Sequence, residues 1–286
     1  MFSSGYMANL GAVTALLNEK DVVMVDRLNH ASLVDAARLS KAKLWVYGHR
    51  DFSGLEKLLK HAQSFRRRLV MTDAYFSMDG TVAPLDGMFA LCKKNNAILM
   101  VDEAHSTGIY GKTGRGLTEH FGLSGKIPVV MGTLSKALGS VGGFIAGPAL
   151  LRETLVNFSR EYIYTTGPSP SASAVALEAL AMIEKTPRLR EKLWRNVRRL
   201  RGELRGAGFD LMDSEGPIIP VLISDTKKTL KLKERLKKSG YLVSAIRPPT
   251  VPRGTDRLRI SVSASHTPAQ LTGLVKALKK TREVRS

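Results

Sequence analysis

The chain has 286 residues and is 43% hydrophobic, ample for one large domain or for a large one with a smaller companion. Its 44 basic and 25 acidic residues leave a net charge of +19, but the excess sits at Arg66-Arg67-Arg68 and in 188–205 and 227–238, where Leu recurs at helical spacing; solvated helix faces explain it without a nucleic acid. The single cysteine, Cys92, excludes an internal disulfide and suits a reducing cytoplasm, and neither a membrane-spanning run nor a signal peptide is expected.

In chain order, the opening residues Phe2 to Tyr6 read as a strand-to-loop transition, which suggests that an N-terminal portion precedes them in the full protein. A helix is expected over 8–18, then a buried strand at Val22-Val23-Met24-Val25 and a helix over 31–39. Further strands follow at Leu44 to Tyr47, Arg68 to Thr72, Ile98 to Val101 and Val129 to Met131, with a shorter one at Phe144-Ile145-Ala146. Helical stretches at 53–63 and 85–95 separate them, with Cys92 packed on the latter. Continuous apolar strands alternating with helices indicate an α/β fold whose mostly parallel sheet is covered on both faces. After about residue 150 the pattern changes. Residues 150–160 and 170–206 read as mostly helix, strands are expected near 218–223, 241–246 and 257–263, and helices at 227–238 and 268–282 complete a smaller α+β unit. The expected division is 1–190 and 191–286.

Four segments carry chemistry. Lys136 lies in Gly132-Thr133-Leu134-Ser135-Lys136-Ala137-Leu138-Gly139, directly after an apolar strand. A buried lysine there has its charged form disfavoured, and a neutral amine is what attacks an aldehyde; the alternative is a lysine that snorkels from a loop. Thr133 and Ser135 offer hydroxyls to an anion. Asp102, at the end of Met100-Val101-Asp102-Glu103-Ala104-His105, is delivered at the carboxyl edge of a strand, where open α/β sheets bind ligands. Its buried carboxylate needs a partner such as a ring nitrogen; a metal site or a structural turn are the competing readings. Small residues at Ser3-Ser4-Gly5-Tyr6 ahead of a helix can bind an anion or simply cap the helix. His30 stands between a strand and a helix, where it can cover a bound ring or satisfy a turn.

Together, Ser4-Gly5-Tyr6, Asn29-His30-Ala31-Ser32, Phe76-Ser77-Met78-Asp79-Gly80, Asp102-Glu103-Ala104-His105, the run Gly111 to Gly116 and Thr133-Leu134-Ser135-Lys136 resemble the α-oxoamine synthases in order and spacing. The resemblance covers essentially the whole chain. It implies a pyridoxal 5'-phosphate (PLP) dependent transferase of fold type I, with a large domain and a smaller C-terminal α+β domain, acting as a homodimeric C-acyltransferase. It places Lys136 on the cofactor and on the substrate α-proton, Asp102 at the ring nitrogen, and His105 and Ser77 near the ring hydroxyl. His30 would stack on the ring, the Gly5 and Tyr6 amides and Thr133 would bind the phosphate, and Thr166 would reach the phosphate of a neighbouring subunit. The segment Ile246-Arg247-Pro248-Pro249-Thr250-Val251-Pro252, with Gly254-Thr255 and Arg257-Leu258-Arg259, is similar to the branch that joins L-alanine to a pimeloyl thioester, on CoA or a carrier protein, in biotin biosynthesis. His30, Arg247 and Thr250 would then meet substrate. Asn29-His30 and Arg38 to Lys43 resemble equally the branch that uses glycine and acetyl-CoA, and a non-catalytic product is the third possibility. The resemblance also implies a family N-terminal stretch ahead of Ser4 that this chain lacks.

Overall fold

The computed structural model describes residues 1–283, so the last three residues of the expected second domain lie outside the described residues. Two units form, one from Met1–Phe76 with Ala83–Lys185, the other from Ser77–Val82 with Thr186–Ser286.

The first unit opens with α1 (Gly5–Leu16), β1 (Val22–Asp26), α2 (Ala31–Leu39), β2 (Lys43–Tyr47) and α3 (Phe52–His61). It continues through β3 (Arg68–Asp73), α4 (Leu85–Lys94), β4 (Ile98–Asp102), α5 (Leu117–His120), β5 (Val129–Thr133) and β6 (Gly143–Ala146), and ends with α6 (Ala149–Phe158), α7 (Arg160–Ile163) and α8 (Pro170–Lys185). The strands make one six-stranded sheet in the order β2-β1-β3-β4-β5-β6. Neighbours run parallel except β6, which pairs antiparallel to β5. The mostly parallel α/β sheet expected from the sequence is therefore the one observed.

Burial explains the composition. Every residue of β1 and β3 is buried, as central strands covered on both faces require, whereas edge strand β2 leaves Lys43 and Val46 exposed. Each fully buried aliphatic side chain, such as Val23, Leu69 or Met71, contributes roughly 1.5–3 kcal/mol of transfer free energy. Cys92 is buried on α4, and that burial pushes its thiol up to about 12.

Two features position the site. From β1 the chain passes through α2 to β2, then returns through α3 to β3 on the other side of β1. The strand order thus reverses between β1 and β3, the kind of point where doubly wound sheets bind ligands. Helix α1 starts at Gly5, earlier than its apolar run suggests, because the Ser4 side chain caps it by accepting the Met7 N–H at 3.1 Å. The start of α1 rests on β6. A Cβ at Gly143 would stand 2.6 Å from both Gly5 Cα and the Ser4 carbonyl oxygen, so only glycine permits this approach.

The second unit contains α9 (Pro187–Gly206), β7 (Ile218–Leu222), α10 (Thr226–Lys238), β8 (Ser244–Ile246), β9 (Arg257–Ser261) and α11 (Pro268–Glu283). Its three-stranded antiparallel sheet has the order β7-β9-β8. The long helical stretch of the sequence breaks at Thr186, where Pro187 opens α9. Leu193, Val197, Leu200 and Leu204 are buried at helical spacing while Arg195, Arg198 and Arg199 stay exposed, the solvated basic face inferred from composition. Segment 77–82 joins this unit through the buried Arg257, whose guanidinium donates to Asp79 at 2.5 Å and to the Thr255 carbonyl at 2.8 Å. Among the described residues no helix is long and apolar enough to cross a membrane.

Candidate active site

The carboxyl ends of β3, β4 and β5, the turn after β1 and the first turn of α1 surround a cleft of about 510 Å³ in the first unit. Its lining includes Gly5, Tyr6, His30, Asp73, Asp102, His105, Thr133, Ser135 and Lys136, so residues far apart in sequence share one concavity.

Asp102 ends β4 and lies in register with Asp73 at the end of β3. Both are buried, at 3% and 4% exposure. Asp102 Oδ1 accepts the Ala104 N–H at 2.9 Å, and Oδ2 accepts Nδ2 of Asn9, also at 2.9 Å. Burial pushes the Asp102 carboxyl above its ordinary range, opposed first by the Asn9 hydrogen bond, then by the Ala104 amide and by the charge of Lys136. Asp73 is pushed well above its ordinary range, first by burial and then by the charge of Asp102. Of the pair, Asp102 has the more opposing donors and Asp73 is the more strongly raised.

Lys136 follows β5 in an exposed stretch with Ser135, rather than the buried setting considered for it, yet its charge acts on both Asp73 and Asp102. Thr133 Oγ1 donates to the Gly142 carbonyl at 3.0 Å and sits 2.9 Å from the Ser135 hydroxyl. Gly5 is so close that a Cβ there would lie 3.3 Å from Thr133 Oγ1. In the first turn of α1 the Met7 and Ala8 amides are taken up by Ser4, which leaves those of Gly5 and Tyr6 at the positive end of the helix. A helix start of this kind can receive an anion. The Tyr6 hydroxyl donates to Asp35 on α2 at 2.5 Å, pinning its side chain there.

His30 caps α2. Its backbone N–H donates to Asp73 Oδ2 at 2.8 Å, and its Nδ1 lies 2.8 Å from the Ser32 hydroxyl. His105 is half-buried on the turn after β4 and lines the cleft. Glu103 is committed elsewhere: its carboxylate accepts from the Ser106 hydroxyl, from the Leu117 N–H at 2.9 Å and from the Thr118 N–H at 2.6 Å, tying down the 104–117 loop. Among the described residues no group of His, Cys, Asp and Glu has the geometry to hold a metal ion, so the metal reading of Asp102, Glu103 and His105 finds no support.

The sequence model of the aminotransferase class I and II family matches residues 1–278. The chain belongs to that family. Curated relatives within it include the 8-amino-7-oxononanoate synthase of Alkalilimnicola ehrlichii, 48% identical over 97% of this chain and 71% of its own length. That of Nitrosococcus oceani is 49% identical over 97% of this chain and 74% of its own length. Among solved structures of the fold, SPT with PLP superposes with a TM-score of 0.95 at 36% identity, covering 99% of this chain and 72% of that one. The 8-amino-7-oxononanoate synthase of Francisella tularensis superposes at 0.86 and 29% identity, covering 99% and 82%.

Of the residues singled out from this family member's sequence, Gly5, Tyr6, His30, Asp102, His105, Thr133 and Lys136 meet in the cleft. Thr166 lies in the exposed segment before α8. Ser77, Arg247 and Thr250 belong to the second unit. There the Ser77 carbonyl accepts from the Arg259 guanidinium, and Arg247 and Thr250 are exposed, Arg247 donating to the Pro248 carbonyl at 3.3 Å. Sequence reasoning missed Asn9, Ser32 and Asp73. Two of these had a signal: Asn9 is a lone amide in an apolar run, and Asp73 ends a buried strand just as Asp102 does.

Proposed function

We infer that the chain makes 8-amino-7-oxononanoate with PLP as cofactor. The carrying observation is the cleft that unites Asp102, whose carboxyl oxygens accept from Asn9 and Ala104, with Lys136 and with the helix start at Gly5, Tyr6 and the Thr133 hydroxyl. That set fits PLP: a carboxylate for a protonated ring nitrogen, an amine for the aldehyde and helix amides for the phosphate. When bound, PLP supplies an electron sink for charge that develops at the amino acid's α-carbon.

The product's structure fixes the substrates. Its methyl and amine-bearing carbons are those of L-alanine, and its other seven carbons are a pimeloyl group attached through the carbonyl that becomes the ketone. L-alanine and a pimeloyl thioester, on CoA or a carrier protein, therefore give the amino ketone, carbon dioxide and the free thiol. Lys136 would remove and return the α-proton, and Asp102 would hold a proton on the ring nitrogen. His105 would bond near the ring hydroxyl, and His30 would cover the ring face. Arg247, exposed on the second unit beside Thr250, is suited to a carboxylate by its forked guanidinium.

The protein acts as a homodimer in this reading. Leu150, Phe158, Tyr164, Leu177, Leu180 and Met182 on and beside α6 to α8 are exposed apolar side chains that a second copy would cover, and Thr166, in the segment before α8, would reach the partner's phosphate. Sedimentation at assay concentration tests this, and a monomer would overturn it. The reaction itself is tested by the visible spectrum with PLP, wild type against Lys136→Ala. A band that needs Lys136 and shifts with L-alanine supports the reading. A shift with glycine alone reassigns the amino acid, and no lysine-dependent band refutes cofactor assembly in this chain.

A further inference from the structure

We propose that Asn9 is a positioning residue that couples Asp102 to His30 through the Ser32 hydroxyl and thereby fixes the tautomer of the His30 ring. The functional meaning of this relay rests on the reading of the cleft as a PLP site; the hydrogen bonds themselves belong to the chain alone.

Asn9 is completely buried and lies one helical turn beyond Gly5, on the same face of α1. Its Nδ2 lies 2.9 Å from Asp102 Oδ2 and 2.9 Å from Ser32 Oγ. A carboxylate can only accept, so the amide must present its nitrogen, and both hydrogens of that nitrogen are used. The opposite atom confirms the commitment: Asn9 Oδ1 is buried with no partner. A buried orphan acceptor carries a cost, so this side chain is held for what its nitrogen does.

The direction then propagates. Ser32 Oγ accepts from Asn9, so its own hydrogen is free to point at His30 Nδ1, 2.8 Å away. The Ser32 backbone N–H points at the same Nδ1, at 3.2 Å. Two donors aimed at Nδ1 make it an acceptor and place the proton of the neutral ring on Nε2. On the other side, Asp73 holds the His30 backbone N–H at 2.8 Å. The ring that would cover the cofactor is thus anchored and given one polarity by the same amide that steadies the carboxylate beneath the ring nitrogen. Asn9 is also the first of the groups that counter the burial of Asp102.

The test uses cofactor-free protein with 15N-labelled histidine, read by long-range 1H–15N correlation, with His30 assigned from the His30→Gln spectrum. Wild type should show the Nε2–H form. Asn9→Ala should lower the ratio of Nε2–H to Nδ1–H about fivefold, the effect of one net hydrogen bond. Ser32→Ala should lower it in the same sense, and in the Ser32→Ala background Asn9→Ala should have no further effect on His30. A wild-type ring protonated on Nδ1, or additive effects of the two substitutions, would overturn the proposal. With PLP added, Asn9→Ala should also shift the pH at which the cofactor band titrates, whereas Ser32→Ala should leave it in place. Should Asn9→Ala fail to fold, the wild-type tautomer and the Ser32→Ala ratio still decide. Should no lysine-dependent band appear, the functional reading fails while the histidine measurement stands by itself.

Discussion

Replacing Asp73 with Asn separates the fates of two neighbouring carboxylates. Asp73 and Asp102 are register partners on β3 and β4, both buried. Two acids in one dry site cannot both ionise cheaply. Burial and the Asp102 charge drive Asp73 well above its ordinary range, whereas Asn9 and Ala104 oppose the rise at Asp102. In the folded protein Asp73 therefore keeps its proton to higher pH than in the unfolded chain, and Asn resembles the neutral acid in shape while still accepting the His30 N–H. The unfolded chain loses the Asp73 proton above about pH 3.9, so folding takes a proton up. Wild-type stability from this group is full below that pH and falls by about 1.4 kcal/mol per pH unit up to the folded-state value. Asp73→Asn escapes this loss. Urea denaturation of both cofactor-free proteins between about pH 4 and 8 should show the variant gaining on wild type as pH rises through that window. A gap that stays flat, or that moves against the variant with rising pH, would mean that Asp73 is ionised in the folded state and would refute the argument.

Two further predictions rest on other parts of the first unit. Gly143→Ala would set a methyl 2.6 Å from Gly5 Cα, backbone against backbone, and should cost about 1–3 kcal/mol in denaturant unfolding while weakening PLP binding; unchanged affinity would show that the start of α1 is not part of the site. Asp21 is completely buried and accepts from the Arg66 guanidinium at 2.9 and 2.7 Å and from the Asn18 and Arg67 amides at 2.9 and 3.0 Å; burial opposes its charge, but these donors prevail and hold its carboxyl below the ordinary range. Its stabilisation is present above about pH 3.9 and is lost as pH falls through the lower folded-state value, so Asp21→Asn should destabilise the protein at neutral pH and progressively less in acid; a deficit independent of pH would sink the assignment.

The central strands and the cleft's main residues were legible because each is announced locally. A run such as Val22 to Asp26 can be stable only between two covering layers, and a carboxylate at its carboxyl end, as in Met100-Val101-Asp102, needs a partner. Punctuation was less faithfully read. Pro187 marks the break between α8 and α9, yet helical periodicity runs through it. The last short strand before β9 keeps only Ser244–Ile246, since its pairing with β9 is confined to those residues and Leu242 stays exposed. The relay of Asn9, Ser32 and His30 was out of reach for another reason. Asn9 meets Ser32 across 23 positions and Asp102 across 93, and no periodicity encodes contacts made only when α1 lies over the sheet edge.

That dependence on α1 gives the site its unity. The first turn of the helix supplies the Gly5 and Tyr6 amides to the cleft, and its second turn supplies Asn9 to Asp102 and Ser32. With a rise of about 1.5 Å per residue, Gly5 and Asn9 stand about 6 Å apart along one face, so a single rigid helix sets the spacing between the Gly5 and Tyr6 amides and the Asp102 carboxyl. The helix is seated by the close approach of Gly143 to Gly5. A displacement there moves both ends together, which is why Gly143→Ala should disturb the His30 tautomer as well as PLP affinity. A loss of affinity with an untouched histidine spectrum would show instead that the two turns of α1 act independently.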